Sequence, residues 1–165
     1  MVAAKQYPAS QFRPLTKAEL QQVWQWRNQP EIRCNMHNDT PISWPEHLAW
    51  FEKLQHDLSR NFFVFYQHER PIGVLNFNQR SSGVLEWGCY LGETNVWPGS
   101  GLLLEIAALD YAAMQSTQHS LYAEVLSFNQ SVLKMHQLFG YQPLPDLPGK
   151  LRDNQTTDAF LTRFG

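Results

Sequence analysis

The pattern of apolar and polar positions predicts that the chain opens with two helices. Thr16-Lys17-Ala18-Glu19 and Ser43-Trp44-Pro45-Glu46 are capping boxes, and each precedes apolar residues at helical spacing. The first helix is expected to fade before Pro30, because the residue before a proline avoids the α region. In the second helix, four apolar positions are predicted to share a buried face: Leu48, Phe51, Leu54 and Leu58.

Strands alternate with helices in the rest of the chain. Residues 62–66 and 71–77 are apolar runs joined by a turn at 67–69, which predicts a hairpin, and residues 84–91 form a third strand. The remaining predicted elements are a long apolar helix (102–114), a strand (121–126), a helix (129–139) and a short strand (159–161). Hairpin strands pair antiparallel and strands joined by a crossover helix pair in parallel. The order therefore predicts an α/β fold, with a mixed sheet and helices on both faces.

Composition narrows the class of protein. At 165 residues the chain is expected to form one domain, 1–165, and its net charge of −2 gives no general attraction to nucleic acid or to an anionic membrane. The chain has no apolar run of bilayer length, and residues 1–7 lack a signal-peptide core. Cys34 and Cys89 do not make a disulfide framework, and Cys34 with His37 is only half a metal-site pattern. We expect a cytoplasmic, metal-free protein.

The glycine-rich turn from Val96 to Gly101 carries the first chemical signal. It separates the third predicted strand from the long apolar helix. The first turn of a helix presents unpaired N–H groups and the positive end of the dipole, which suit a phosphate. The P-loop lysine is absent, and Leu104 stands where a dinucleotide fingerprint needs its third glycine. The turn therefore predicts a phosphate-bearing ligand held by backbone amides.

Two motifs in this order resemble the GNAT superfamily of acetyl-CoA-dependent N-acetyltransferases. The superfamily's pyrophosphate turn reads [QR]-x-x-G-x-[GA], and here Val96 occupies the first position. Its second motif, N-x-x-[AV]-x-x-x-Y-x-x-x-G-[FY], is matched from Asn129 to Tyr141, with His136 where the tyrosine usually stands. The resemblance implies the GNAT fold and acetyl-CoA as co-substrate.

The resemblance also implies roles for particular residues. The residues expected to bind acetyl-CoA are Tyr90, Leu91, Val96, Trp97, Gly99, Ser100, Gly101, Leu102, Asn129 and His136. His136 is expected to protonate the departing thiolate; the alternative is a packing residue. A strand amide near Tyr90 or Leu91 is expected to stabilise the thioester oxygen. Glu124, on the fourth strand, is the candidate base, with Glu86 in reserve.

Further stretches resemble one branch of the superfamily, at 26–33, 46–51, 71–74, 86–92 and 124–129. That branch acetylates the 4-amino group of UDP-4-amino-4,6-dideoxy-N-acetyl-β-L-altrosamine in pseudaminic acid biosynthesis, which feeds flagellin glycosylation. The residues expected to bind this nucleotide sugar are Arg27, Arg33, His47, Trp50, Glu86 and Tyr90. The two arginines suit a diphosphate, because a guanidinium binds phosphate oxygens bidentately.

Other functions stay open on the sequence alone. The acceptor is alternatively a protein N-terminus or another small amine. Val96 and His136 depart from the superfamily motifs, which leaves room for a non-catalytic module that binds coenzyme A. The last twenty residues form either an edge strand or a pairing segment for a second subunit, so a homodimer is possible.

Overall fold

The computed structural model describes residues 10–36, 38–115, 117–118, 120–126, 130–143 and 157–163. Strands and helices alternate within these residues much as the sequence predicts. In chain order they are β1 Ser10–Pro14, α1 Lys17–Arg27, α2 Pro30–Arg33, α3 Trp44–His56, β2 Arg60–Gln67, β3 Arg70–Ser81, β4 Val84–Leu91, α4 Ser100–Met114, β5 Ser120–Leu126, α5 Gln130–Leu138, β6 Gln142–Pro143 and β7 Thr157–Arg163. Three elements were not predicted from the sequence: β1, the one-turn helix α2 and the two-residue strand β6.

The strands form one mixed sheet in the order β1-β2-β3-β4-β5-β7-β6. The β2–β3 hairpin and β4 pair antiparallel, and β4 pairs in parallel with β5 across the α4 crossover, so both predicted pairings are confirmed. The terminal strand is longer than predicted, because β7 pairs along the whole of β5. It lies between β5 and β6, so it is not an edge strand within the described sheet.

Two apolar cores lie on opposite faces of the sheet. Helices α1 and α3 pack with Val64 and Val74 on one face, which we call the front face. Helices α4 and α5 pack with Phe77, Trp87 and Leu121 on the other, the back face. The predicted helices on both faces are therefore confirmed. None of the described helices is long and apolar enough to cross a bilayer.

The buried face of α3 differs from the predicted one. The capping box at Ser43 is present, but the residues buried in this helix are His47 and Phe51. Leu48 is 42% exposed, and Leu58 is 99% exposed because the helix ends before it. A position four residues before Phe51 shares its face, so His47 takes the buried place predicted for Leu48.

Close packing fixes the end of α1 against the end of β4. Trp26 is fully buried, and a Cβ atom on Gly92 would lie 2.2 Å from its ring. The Trp26 indole N–H also donates to Glu93 Oε1 at 3.1 Å. This contact holds the next residue of α1, Arg27, near the phenol of Tyr90 on β4.

Candidate active site

The sheet opens between its two parallel strands. Strands β4 and β5 pair over residues 84–86 and 120–122 and over no later residues. Beyond that point β4 continues beside β3 to Leu91, and β5 continues beside β7 to Leu126. The carboxyl ends of the two parallel strands therefore diverge into a wedge-shaped opening. Ligands of open α/β sheets bind at such carboxyl ends.

The glycine turn stands where α4 begins. Gly99 is the N-cap with φ 92°, a left-handed conformation that glycine adopts without strain. Ser100 N–H donates to Trp97 O and Leu103 N–H to Gly99 O. The amides of Gly101 and Leu102 have no hydrogen-bond partner in the described part of the chain, as expected for a first helical turn. These two amides fit the predicted pyrophosphate seat.

Ser100 has a structural part in this turn. Its hydroxyl is buried, donates to Trp97 O at 2.6 Å and accepts from Gln67 Nε2 at 2.8 Å. Both of its donors, the hydroxyl and the backbone N–H, are therefore used inside the turn. Its contact with the cofactor stays a prediction. Val96 packs against the back-face core, and Trp97 is 39% exposed.

A cluster of charged and polar side chains lies on the front face where the opening starts. We define the carboxylate cluster as Arg80, Glu86, Tyr122 and Glu124. Arg80 Nη1 lies 3.3 Å from Glu86 and 3.6 Å from Glu124, and its guanidinium stacks 3.7 Å above the Tyr122 ring. Tyr122 donates its hydroxyl proton to Glu124 Oε1 at 2.7 Å. Burial and the hydrogen bond to Glu124 raise the pKa of Tyr122, so it remains a proton donor to this carboxylate.

Arg80 and Tyr122 were not predicted as site residues, although a pattern of polar positions along β3 indicates that a site lies beside it. Polar Asn76 and Asn78 alternate with buried Leu75 and Phe77. In the sheet, Asn78 pairs with Glu86, which pairs with Tyr122, so these side chains form one row. A polar stripe on a strand that has helices on both sides indicates a site rather than solvent.

Arg27 lies beside the same face with its charge only partly satisfied. Its Nη2 donates to Asn38 O at 2.7 Å, while Nη1 is buried without a hydrogen-bond partner. Desolvation lowers the pKa of Arg27, neighbouring Arg33 adds to this effect, and the carboxylate of Asp39 partly opposes it. Arg33 donates to the carbonyls of Asn28 and Asp39. Two arginines therefore converge, and no carboxylate forms an ion pair with Arg27 among the described residues.

Tyr90 joins the arginine pair to the opening. It lies on β4 opposite Val74, so it shares the front face with the carboxylate cluster. Burial raises the pKa of Tyr90, and the Arg27 charge partly opposes that shift. The following amide, at Leu91, points toward the opening: Gly92 N–H bonds back to Ile72 O on β3, and successive amides of a strand alternate sides.

The structure corrects the predicted place of His47. Its ring is 3% exposed, donates from Nε2 to Leu20 O at 2.9 Å and stacks on Trp50 at 5.2 Å. His47 therefore joins α3 to α1 in the core, so its side chain is buried rather than exposed at the surface of α3. Trp50 packs edge-on against Phe62 at 5.0 Å, and Phe62 pairs across the sheet with Asn76. Trp50 thus lies at the border of the polar stripe.

We expect His47 to make stability fall in mild acid. Burial lowers the pKa of His47, with the Leu20 hydrogen bond opposing the shift, so the folded protein holds a neutral ring. The unfolded chain takes up a proton below about pH 6.5, so unfolding gains free energy there. His47→Gln, whose amide can also donate to Leu20, should flatten the loss of urea midpoint between pH 7.5 and 5.0. Equal losses in both proteins would assign the acid sensitivity elsewhere.

His136 lies on the back face, opposite the carboxylate cluster. Its ring is 4% exposed, and its Nδ1 contacts Oε1 of Glu105, which is 2% exposed. Trp87 and Tyr141 pack around the ring at centroid distances of 5.4 and 4.9 Å. The predicted acid and the predicted base therefore stand on opposite faces of the opening. Asn129, the predicted pantetheine contact, lies outside the described residues.

Known proteins share sequence with this chain over most of its length. A family model described as an acetyltransferase (GNAT) domain matches residues 11–142. Acetyltransferase PseH of Campylobacter jejuni strain 81-176 is 32% identical over 126 residues, which span 76% of this chain and 78% of that protein.

Solved structures share the fold at low identity. The spermidine N-acetyltransferase of Vibrio cholerae, with CoA and spermine bound, superposes at TM-score 0.84 with 18% identity, covering 93% of this chain and 95% of that one. Campylobacter jejuni PseH in complex with acetyl coenzyme A superposes at TM-score 0.68 with 22% identity, covering 95% of this chain and 100% of that one.

Proposed function

The chain belongs to the GNAT acetyltransferase family, and on that premise we propose that it acetylates the 4-amino group of UDP-4-amino-4,6-dideoxy-N-acetyl-β-L-altrosamine. It is an acetyl-CoA-dependent N-acetyltransferase. In this proposal the product enters pseudaminic acid biosynthesis for flagellin glycosylation, in the cytoplasm. The 32% identity to acetyltransferase PseH supports the choice of a sugar acceptor.

The unpaired guanidinium nitrogen of Arg27 is the observation that carries the nucleotide part of this proposal. A buried N–H without a partner costs free energy of about 1–3 kcal/mol, and more when the group is charged. An anionic group on the acceptor removes that cost, and a diphosphate offers oxygens to Arg27 and Arg33 together. A polyamine or a basic peptide offers no anion to these two residues.

The carboxylate cluster supplies the base in the proposed mechanism. A free amine of this kind has a pKa of about 8, so a modest base suffices to take its proton. Glu124 is oriented by the Tyr122 hydroxyl and by Arg80, and it lies two residues past the last β4–β5 pair. An amine that enters from the front face reaches this carboxylate before it reaches the back face.

The other groups of the opening fit acetyl-CoA. The Gly101 and Leu102 amides suit its pyrophosphate, since a helix N-terminus favours an anion. The Leu91 amide is directed toward the gap, where it would stabilise charge that develops on the thioester oxygen. Bound there, acetyl-CoA supplies the activated acetyl group. His136 is proposed to return a proton to the thiol side, on the back face.

Thiol release with matched acceptors tests the proposed substrate. The protein is incubated with acetyl-CoA and either the UDP-4-amino sugar, a peptide with a free N-terminus, or spermidine. We expect release with the sugar nucleotide to exceed release with the other two amines by at least tenfold in kcat/KM. Thiol release with the peptide or with spermidine, and none with the sugar nucleotide, would show that the acceptor is not the proposed sugar. Binding of acetyl-CoA without any thiol release would indicate a non-catalytic module.

Substitution of Arg27 should weaken binding of the nucleotide more than it slows chemistry. We expect Arg27→Gln to raise KM for the UDP sugar about 10- to 100-fold, because a charge-assisted contact to phosphate is worth about 1.5–3 kcal/mol. Arg27→Lys should recover only part of the affinity for the UDP sugar, because lysine keeps the positive charge but cannot bind phosphate oxygens bidentately as a guanidinium does. KM for acetyl-CoA should stay within twofold.

Lys17→Gln provides the matched control. It removes the same charge from the exposed first turn of the same helix, far along α1 from the opening. Its kinetics should equal those of the wild type. An unchanged KM for the sugar nucleotide in Arg27→Gln would remove Arg27 from the acceptor site.

A further inference from the structure

The Glu105–His136 pair is the deepest ionisable contact among the described residues of the back-face core. Both side chains are almost fully buried, at 2% and 4% exposure. Neither the acceptor contacts nor the coenzyme seat needs a carboxylate at this place. Acidic side chains are seldom buried to this extent unless they are paired, and a pair of this kind generally costs stability compared with apolar packing. The burial of this pair therefore points to a role beyond packing.

His136 is the basic side chain that lies against Glu105. Oε1 contacts His136 Nδ1, and Oε2 is buried without a hydrogen-bond partner in the described part of the chain. Tyr141 and Cys89 are the other titratable groups near this carboxylate. Burial, together with Glu105, raises the pKa of Tyr141. Neither a phenol nor a thiol carries a positive charge, so neither offers Glu105 a cation.

The contact fixes which ring nitrogen faces Glu105. Oε1 lies against Nδ1, and a carboxylate oxygen accepts a hydrogen bond from a ring N–H. The Nδ1 proton is therefore held by Glu105, and Nε2 is the ring nitrogen turned away from the carboxylate. Rings packed at 5.4 Å and 4.9 Å limit the freedom of the imidazole to turn.

We propose that Glu105 is a positioning residue that holds Nδ1 of His136 and so orients the ring to give a proton to the departing coenzyme A sulfur. The inference rests on the proposed function, in which His136 is the acid. With Nδ1–H held by Glu105, the transferable proton resides on Nε2, in the same way that a carboxylate sets the tautomer of a catalytic histidine in hydrolases.

The proton balance of the step is closed. When the thioester C–S bond breaks, its electron pair stays on sulfur, and sulfur takes the Nε2 proton to form S–H. His136 is left neutral, with Nδ1–H still bonded to the Glu105 carboxylate. The acceptor attacks as the neutral amine: its ammonium proton first passes to Glu124 and on to solvent, and the nitrogen loses a second proton to Glu124 as its bond to the acetyl carbon forms. Exchange with solvent then removes the proton from Glu124 and returns a proton to Nε2 of His136.

A double-mutant cycle on kcat tests the coupling. We expect Glu105→Gln, which keeps the size of the side chain and its acceptor oxygen, to lower kcat about tenfold or more while KM for acetyl-CoA stays within twofold. His136→Gln should lower kcat at least as much. The double variant should be no slower than His136→Gln, because the two residues act as one unit. Full kcat in Glu105→Gln, or losses that multiply in the double variant, would overturn the proposal.

Nuclear magnetic resonance of the ring nitrogens gives a readout that needs no acceptor. Long-range ¹H–¹⁵N spectra of the wild type should show His136 with a proton on Nδ1, and Glu105→Gln should mix the two tautomers. A wild-type ring without a proton on Nδ1 would overturn the proposal directly. Failure of the UDP sugar to release thiol would instead defeat the proposed substrate and leave this result standing.

Glu19→Gln is the control for loss of a buried carboxylate. Glu19 is 8% exposed and accepts hydrogen bonds from Thr16 and Tyr66, on the front face away from the pair. We expect this variant to lower the melting temperature and to leave kcat unchanged. A fall in kcat equal to that of Glu105→Gln would show that lost stability explains both.

Discussion

Glu124→Gln is expected to lower kcat by about 10²- to 10³-fold, within the range for removal of a general base. Glutamine keeps the shape of the side chain and can still accept the Tyr122 hydrogen bond of 2.7 Å, so the local structure should survive. What it loses is the ability to take the proton of the amine. Steady-state thiol release with a saturating acceptor, measured at pH 7, checks the loss.

The pH dependence separates this role from a merely structural one. Above about pH 9 the amine is already neutral in solution, so the deficit of Glu124→Gln should shrink. Glu86→Gln, which removes the other carboxylate held by Arg80, should cost less than tenfold. Glu52→Gln on the exposed side of α3 should match the wild type. A Glu124→Gln enzyme with wild-type kcat at pH 7 would transfer the role of base to water or to the substrate.

Gly92→Ala is expected to be the most destabilising small substitution near the opening. The added methyl group would lie 2.2 Å from the Trp26 ring, far inside van der Waals contact, and Trp26 is fully buried and anchored to Glu93. Overpacking of a core costs about 1–3 kcal/mol or more. For a chain of this size, that corresponds to a fall in melting temperature of about 2–12 °C.

Displacement of Trp26 should also disturb the site, because Arg27 follows it on α1. We therefore expect Gly92→Ala to raise KM for the acceptor together with the loss of stability. Gly101→Ala is the matched control: its added methyl group would meet Met135 at an ordinary 3.5 Å, inside α4 where alanine is favoured. Its melting temperature should hold or rise. A Gly92→Ala protein as stable as the wild type would mean that Trp26 moves aside at little cost.

Signals carried by neighbouring residues were read correctly from the sequence. The capping boxes at Thr16 and Ser43 begin α1 and α3 as predicted, and the glycine turn begins α4. Each depends on side chains and amides only a few residues apart, so the local sequence is sufficient. The parallel pairing of β4 with β5 also followed, because a crossover helix leaves few other arrangements.

Predictions that depended on the direction of a side chain were less secure. His47 was expected to face the acceptor, but the packing of α3 on α1 turns it into the core. Helical spacing predicts which residues share a face of the helix, but it does not predict whether that face packs against the core or against solvent. Arg80 was missed for the converse reason, since nothing near it in the chain shows that Glu86 and Glu124 converge on it.

The order of residues by itself determined the helix starts, the hairpin, the crossover and the glycine turn that begins α4, because these arise from interactions along a short stretch of chain. Only the tertiary structure decided which charges meet. It left Arg27 partly unpaired beside Tyr90, gathered the carboxylate cluster on the front face, and buried Glu105 with His136 on the back face. Burial and charge pairing join residues that are distant in sequence, so their energies become visible only when the sheet is assembled.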